Sequence, residues 1–166
     1  MYDYDLKRGA IFTDGAAKGN RRGQSQAGYA YWIPYDEILF STSDPDIHTN
    51  NQAELMAILS VLDHISDFDD ELGITRFSHY DIYSDSEYAI NVITWKWMVR
   101  RGRNLTLIKR CQYLLGYLED HGISITFHHV YAHQSYSHSM SVREMFEAEN
   151  NAIVDREASR AASRGW

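Results

Sequence analysis

The chain has 166 residues, 44% of them hydrophobic and 13% aromatic, with only two prolines; this suits one domain with a sizeable core and excludes a largely disordered chain. Its single cysteine, Cys111, excludes an internal disulfide, no apolar run reaches the roughly 18 residues of a membrane span, and residues 1–10 hold no apolar signal core, so the expected setting is reducing and cytoplasmic. Taken alone, a net charge of −7 argues against a nucleic-acid partner, yet base gathers at Lys18, Arg21 and Arg22 and at Arg100, Arg101, Arg103, Lys109 and Arg110, and a local basic surface binds phosphates on an acidic chain, so the total does not decide.

Residues 8–14 read as a first strand that delivers Asp14 into a break at Gly15. Residues 27–33 and 37–42 read as the second and third strands, joined by a turn at Pro34, Tyr35 and Asp36. The period then changes. Leu55, Ile58, Leu59, Leu62 and Ile65 recur at helical spacing, behind the N-cap candidates Thr49, Asn50 and Asn51. The acidic stretch after Ser66 reads as a connection. Residues 79–84 read as a fourth strand ending in Asp85, with a short helix from Ser86. Leu105, Ile108, Cys111, Leu115 and Leu118 mark a further helix, stopped by His121 and Gly122. Residues 123–130 read as a fifth strand, and a last helix runs to about Ala162. Ser141 and Glu144 fit a capping box that starts it near Val142.

This order gives an α/β layered domain with a mixed sheet, a single domain over residues 1–166. If strands 1 and 4 are parallel neighbours, Asp14 and Asp85 share the sheet edge where such folds place their sites. Glu54 shares a helical row with Ile58, Val61 and Ile65, so it points at the sheet, where an unpaired carboxylate is costly. A capping-box contact with Asn51 is the bland alternative. Asp155 shares a row with Ala152, Ala158 and Ala162; pairing with a nearby arginine on the helix surface is its bland alternative. Taken together, four such acids repel one another unless cations neutralise them. Carboxylate oxygens suit Mg²⁺ or Mn²⁺, and two such ions form the clamp of in-line phosphodiester chemistry.

Several strings carry a family resemblance: IFTDG at 11–15 with GN at 19–20, TNNQAEL at 49–55, YSDSEY at 83–88, VYAH at 130–133 and ENNAIVDREA at 149–158. The chain resembles type I ribonuclease H, over nearly its whole length and with the segments in the family's order. The resemblance implies a five-stranded mixed sheet of order 3-2-1-4-5 flanked by helices. It implies endonucleolytic hydrolysis of the RNA strand of RNA–DNA hybrids, with two Mg²⁺ ions, Mn²⁺ able to substitute, and 5′-phosphate and 3′-hydroxyl products. Asp14, Glu54, Asp85 and Asp155 correspond to the metal-binding acids and His133 to the mobile loop histidine. Asn20, Thr49, Asn50, Asn51 and Asn151 correspond to substrate contacts. A monomer is expected.

The chain also departs from the family. Its basic protrusion is shortened, leaving Trp95, Trp97, Arg100, Arg101 and Arg103 to hold the DNA strand by stacking and charge, with core tryptophans beside a solvated turn as the alternative. Weak hybrid affinity is expected. Glu87 stands where the family often has Gln and adds charge beside Asp85. The span from His133 to Asp155 is long and reads as extra loop plus extra helix over 142–148, packed down by Val142, Met145 and Phe146; His138 is a substitute for His133. A zinc reading of His128, His129, His133 and His138 is disfavoured, since His128 and His129 fall on opposite strand faces and the chain has one thiol. A P-loop is absent. Two other classes remain: a non-catalytic hybrid- or RNA-binding module of this fold, which would tolerate loss of Asp14, and a junction-resolving nuclease, which would prefer a four-way junction to a hybrid.

Overall fold

The computed structural model describes residues 6–19, 23, 25–72, 77–132 and 139–164. Five strands form one sheet: β1 (Ala10–Gly19), β2 (Ser25–Ile33), β3 (Ile38–Asp44), β4 (His79–Ser84) and β5 (Ser124–His129). Their order is 3-2-1-4-5. β1 pairs antiparallel with β2 and parallel with β4, and β5 is parallel to β4. Among the described residues the sheet is flanked by the helices α1 (Asn50–Leu72), α2 (Glu87–Ile93), α3 (Leu105–Asp120) and α4 (Val142–Ala162).

Alternation along β1 explains the two cores. Ile11 and Ile82 face a cluster built from Leu55, Ile58, Leu59 and Leu62 of α1, Val92 and Ile93 of α2, and Ile108 and Leu118 of α3. Ala10 and Phe12 face the other way, onto Val154, Ala158 and Phe146 of α4 together with Tyr83. Side chains two apart share a face, so one strand serves both layers. Two glycines permit the closest approaches. A Cβ on Gly28 would lie 2.2 Å from the Ala162 nitrogen of α4, and one on Gly15 would lie 2.3 Å from the Ala53 carbonyl carbon of α1.

Two boundaries differ from the expectation. β1 does not stop at Asp14. It continues to Gly19 because the hairpin with β2 carries on through the pairs Gly15↔Tyr29 and Gly19↔Ser25. Only its parallel pairing with β4 stops, at Thr13↔Ser84. α1 runs through the acidic stretch to Leu72 instead of ending near Ser66. The Ser66 hydroxyl bonds the Leu62 carbonyl at 2.8 Å, and acidic residues each cost a helix less than about 0.7 kcal/mol. The start of the last helix agrees with the expectation: residues 142–148 are the first turns of α4, which begins at the Ser141–Glu144 capping box. Val142 is exposed; Phe146 does the anchoring, edge-on to Phe12 at 5.5 Å and to Tyr83 at 6.4 Å.

Candidate active site

The parallel register of β1 and β4 ends at Thr13↔Ser84, so Asp14 and Asp85 are the next residues on adjacent strands. Asp14 is buried, and its Oδ1 accepts the Gly15 N–H at 2.9 Å. Asp85 lies in the turn into α2. Ser84 Oγ accepts the Ser86 N–H at 3.0 Å, and Ser86 Oγ caps the helix by accepting the Ala89 N–H at 3.1 Å. That pair of short hydroxyl contacts sets the direction in which the chain leaves the sheet.

Glu54 arrives from α1. Its Oε1 accepts the same Gly15 N–H at 3.1 Å, and its Oε2 is buried with no hydrogen-bond partner. The capping alternative for Glu54 is therefore set aside. Thr49 Oγ1 caps α1 by accepting the Gln52 N–H at 3.1 Å, while Gln52 Oε1 accepts the His48 N–H at 3.2 Å. Ligand oxygens of Asp14, Glu54 and Asp85 lie within 4.8 Å of one another. Asp155 reaches the group from α4 through a side-chain hydrogen bond with Asp14. Of its row, Ala158 and Ala162 are buried, while Ala152 is exposed.

Charge is confined here under strain. Burial, then the neighbouring Glu54 charge, pushes the Asp14 carboxyl far above the usual carboxylate range. Burial likewise raises Glu54, against the opposing hydrogen bond from Asp14. Asp85 is raised by burial too, with hydrogen bonds from Asp14 and Glu54 and the His129 charge pulling back. Like charges this close do not all ionise in the protein alone. Hard oxygen donors from three elements, with one buried oxygen unpartnered, fit divalent cations that take oxygen ligands.

The residues expected to meet substrate are placed as follows. Asn50 and Asn51 are exposed at the start of α1, and Asn50 Oδ1 accepts the Ala17 N–H at 2.8 Å, tying that helix end to the β1–β2 hairpin. Glu87 is exposed in the first turn of α2. Trp95 and Trp97 are 58% and 45% exposed, so the core alternative for both tryptophans is overturned. Trp95 has φ +61°, a left-handed conformation rare for a bulky residue. Arg100 and Arg101 are exposed beyond it. Asn151 is buried one turn before Asp155, and its Oδ1 is unpartnered. Asn20, His133 and His138 lie outside the described residues.

The strand histidines point apart, as alternation requires. His128 Nε2 lies 2.7 Å from Asp81 Oδ1, and its ring stacks on Tyr83 at 4.7 Å. His129 Nε2 lies 3.3 Å from the Asp85 main-chain oxygen. Among the described residues the only group bringing three ligand atoms within 4.8 Å is the acid trio. The sequence reading missed the closeness of His129 to Asp85; the β4–β5 register that produces it is a non-local fact.

Comparisons with known proteins follow the same lines. A family model described as RNase H matches residues 7–163. Ribonuclease H of Clostridium botulinum is 31% identical over 97 residues, which is 56% of this chain and 57% of that protein. Ribonuclease H of Prosthecochloris aestuarii is 31% identical over 93 residues, 55% of this chain and 56% of that one. The match thus spans a little over half the length of these curated relatives. Among solved structures, RNase H1 of Halobacterium salinarum superposes with a TM-score of 0.57 at 22% identity, covering 92% of this chain and 95% of that one. LC11-RNase H1, solved in complex with an RNA/DNA hybrid, gives 0.61 at 20% identity, covering 93% and 96%. The prototype foamy virus protease-reverse transcriptase gives 0.63 at 20% identity, with 93% of this chain matching 20% of that one.

Proposed function

Because the chain belongs to the RNase H family, we propose that it hydrolyses the RNA strand of RNA–DNA hybrids, cutting internally and leaving 5′-phosphate and 3′-hydroxyl ends. The observation that carries this reading is the meeting of Asp14, Glu54 and Asp85 within 4.8 Å at the end of the parallel strands. With Asp155 beside Asp14, these acids would hold two Mg²⁺ ions, or Mn²⁺ in their place. Bound there, divalent cations supply an activated water and charge stabilisation of the leaving 3′ oxygen.

The chain's own residues do the rest. Burial holds Asp14 and Glu54 ready and keeps bulk water from them. The Gly15 N–H fixes one oxygen of each, leaving the others to the cations. Exposed Asn50 and Asn51, at the start of α1 beside the hairpin, suit contacts to 2′-hydroxyls in the wide minor groove of a hybrid. Trp95 and Trp97 offer faces for stacking, and Arg100 and Arg101 offer charge to the DNA strand. His133 is assigned proton transfer or product release. The hybrid is taken as the partner on family membership and on the complex solved for LC11-RNase H1.

The test is an end-labelled RNA–DNA hybrid incubated with Mg²⁺, Mn²⁺ or EDTA, beside duplex RNA, duplex DNA, single-stranded RNA and a four-way junction. Metal-dependent cutting of the hybrid's RNA alone, absent in Asp85→Asn, is the expected outcome. Binding without cutting by folded protein in either metal would leave a non-catalytic hybrid-binding module, and preferred cutting of the junction a resolving nuclease.

A further inference from the structure

β5 ends at His129, in register with Ser84 of β4. Asp85 therefore lies one residue past the last paired position of its strand. Helix α2 does not hold its peptide either, since the first α2 acceptor is the Ser86 carbonyl, bonded by the Ile90 N–H at 3.2 Å. The carbonyl of Asp85 belongs to neither ladder, and His129 Nε2 sits 3.3 Å from it. A carbonyl oxygen only accepts, so His129 donates from Nε2, and does so whether the imidazole is neutral or charged. The His129 ring is itself braced edge-on by Tyr131 at 5.0 Å.

We propose that His129 is a positioning residue for Asp85, whose Nε2–H clamps the Asp85 peptide and so aims that carboxylate at the cation site. The inference rests on the metal-binding reading of the acid cluster. Its basis is where the β4–β5 ladder stops: the Val130 N–H still reaches the Ser84 carbonyl at 2.9 Å and Ser84 Oγ still holds the Ser86 N–H, so the Asp85 carbonyl is the main-chain group that neither strand nor helix fixes. Partners that orient a metal ligand typically matter by about 10–100-fold in metal affinity. Gln places a side-chain N–H at a reach similar to histidine Nε2, whereas Ala removes the donor.

The experiment is titration of the full chain with Mn²⁺, followed by calorimetry and by the free-ion signal in electron paramagnetic resonance. It is run at pH 8 on the native protein, Asp85→Asn, His129→Ala and His129→Gln, with thermal unfolding in EDTA measured alongside. The expected result is a roughly ten-fold weaker Mn²⁺ midpoint in His129→Ala, recovery in His129→Gln, and EDTA unfolding temperatures alike. A His129→Ala midpoint equal to the native one overturns the inference while leaving the metal-binding reading intact. A midpoint weakened equally in His129→Gln, or weakened only in step with lost stability, also overturns it. If the native protein and Asp85→Asn bind Mn²⁺ alike, the reading of the acid cluster fails first and the clamp falls with it.

Discussion

Gly15 donates its main-chain N–H to Glu54 Oε1 at 3.1 Å, joining strand β1 to helix α1 at the point where the acids meet. The contact exists because position 15 has no side chain. A Cβ there would lie 2.3 Å from the Ala53 carbonyl carbon and 2.5 Å from the Ala53 oxygen and the Glu54 nitrogen. These are backbone atoms, so relief requires the helix to move, and with it Glu54.

Gly15→Ala is thus expected to damage the site and the fold together. Overpacking of this kind costs about 1–3 kcal/mol or more, and α1 must shift by enough to break the Glu54 contact. Hybrid cleavage at saturating Mg²⁺ should fall more than about ten-fold, with a lowered unfolding temperature. A Gly15→Ala protein with native stability and native rate would show that α1 is not held by this approach.

Removal of one acid should separate stability from activity. In metal-free protein Asp14→Asn relieves repulsion within a buried cluster, so it should unfold at a higher temperature than the native chain in EDTA. The same variant should lose cleavage by about 10³-fold or more, since the ligand set is broken. Calorimetry in EDTA beside a gel assay in Mg²⁺ reads both. A less stable Asp14→Asn would mean that the carboxyl's hydrogen bonds outweigh its repulsion.

The pH dependence of metal-free stability follows from the same shifts. Asp14, Glu54 and Asp85 all have folded-state values raised above their unfolded ones. Over the window between, the folded state holds protons that the unfolded state has released. Stability from these groups is full below the unfolded values of about 4 and declines as pH rises through the folded ones. Each proton so retained contributes a slope of about 1.4 kcal/mol per pH unit. Unfolding temperatures in EDTA should therefore drop between pH 5 and 8, less so in Asp14→Asn, and the drop should flatten when Mg²⁺ is added. A stability rising with pH across this range would contradict the shifts.

The acids were legible in the sequence for a physical reason. A carboxylate at a strand end or on the apolar row of a helix breaks the local pattern, and Asp14, Asp85, Glu54 and Asp155 each do so. The sheet order entered with the family resemblance. What escaped was non-local. Residues 15–19, with two glycines and a lysine, look like a turn until the β2 ladder is seen to extend along them. The end of α1 was drawn where the apolar row stops, but backbone hydrogen bonding carried it on through an acidic stretch. Exposure of Trp95 depends on a left-handed backbone that no propensity announces. His129 meets Asp85 only through the register of β5 on β4.

The length of α4 yields a prediction of its own. Phe146 is 7% exposed and meets Phe12 edge-on at 5.5 Å, while Arg143 Nη2 donates to the Tyr83 hydroxyl at 3.1 Å. These contacts pin the first turns of α4 to the sheet. Phe146→Ala should cost about 3–5 kcal/mol, read by denaturant unfolding. Arg143→Ala, a half-exposed contact, should cost under about 1 kcal/mol. If Phe146→Ala is as mild, the early turns of α4 contribute little to the core.

The exposed tryptophan turn is the last case. α2 closes with Thr94 bonded back to the Ile90 carbonyl at 3.1 Å, and the Trp97 N–H then reaches the Asn91 carbonyl at 2.9 Å. Between them Trp95 takes φ +61°, a position where glycine is normal. Trp95→Gly should accordingly be more stable than Trp95→Ala by about 1 kcal/mol, since alanine keeps the strain and glycine does not. The ring carried at this cost is exposed, beside Trp97 and the Arg100–Arg101 pair. Both glycine and alanine at position 95 should raise the KM for hybrid by the stacking energy of one base, about 1–3 kcal/mol or roughly 5- to 150-fold, with kcat little changed. Arg100→Ala and Arg101→Ala should each reduce the slope of log affinity against log salt by about one. With a shortened basic segment and a net charge of −7, native affinity for hybrid at physiological salt should be weaker than nanomolar. A fall in kcat with KM unchanged would instead make the turn a support for α2 and Asp85, and a salt slope untouched by either arginine would take the DNA strand elsewhere.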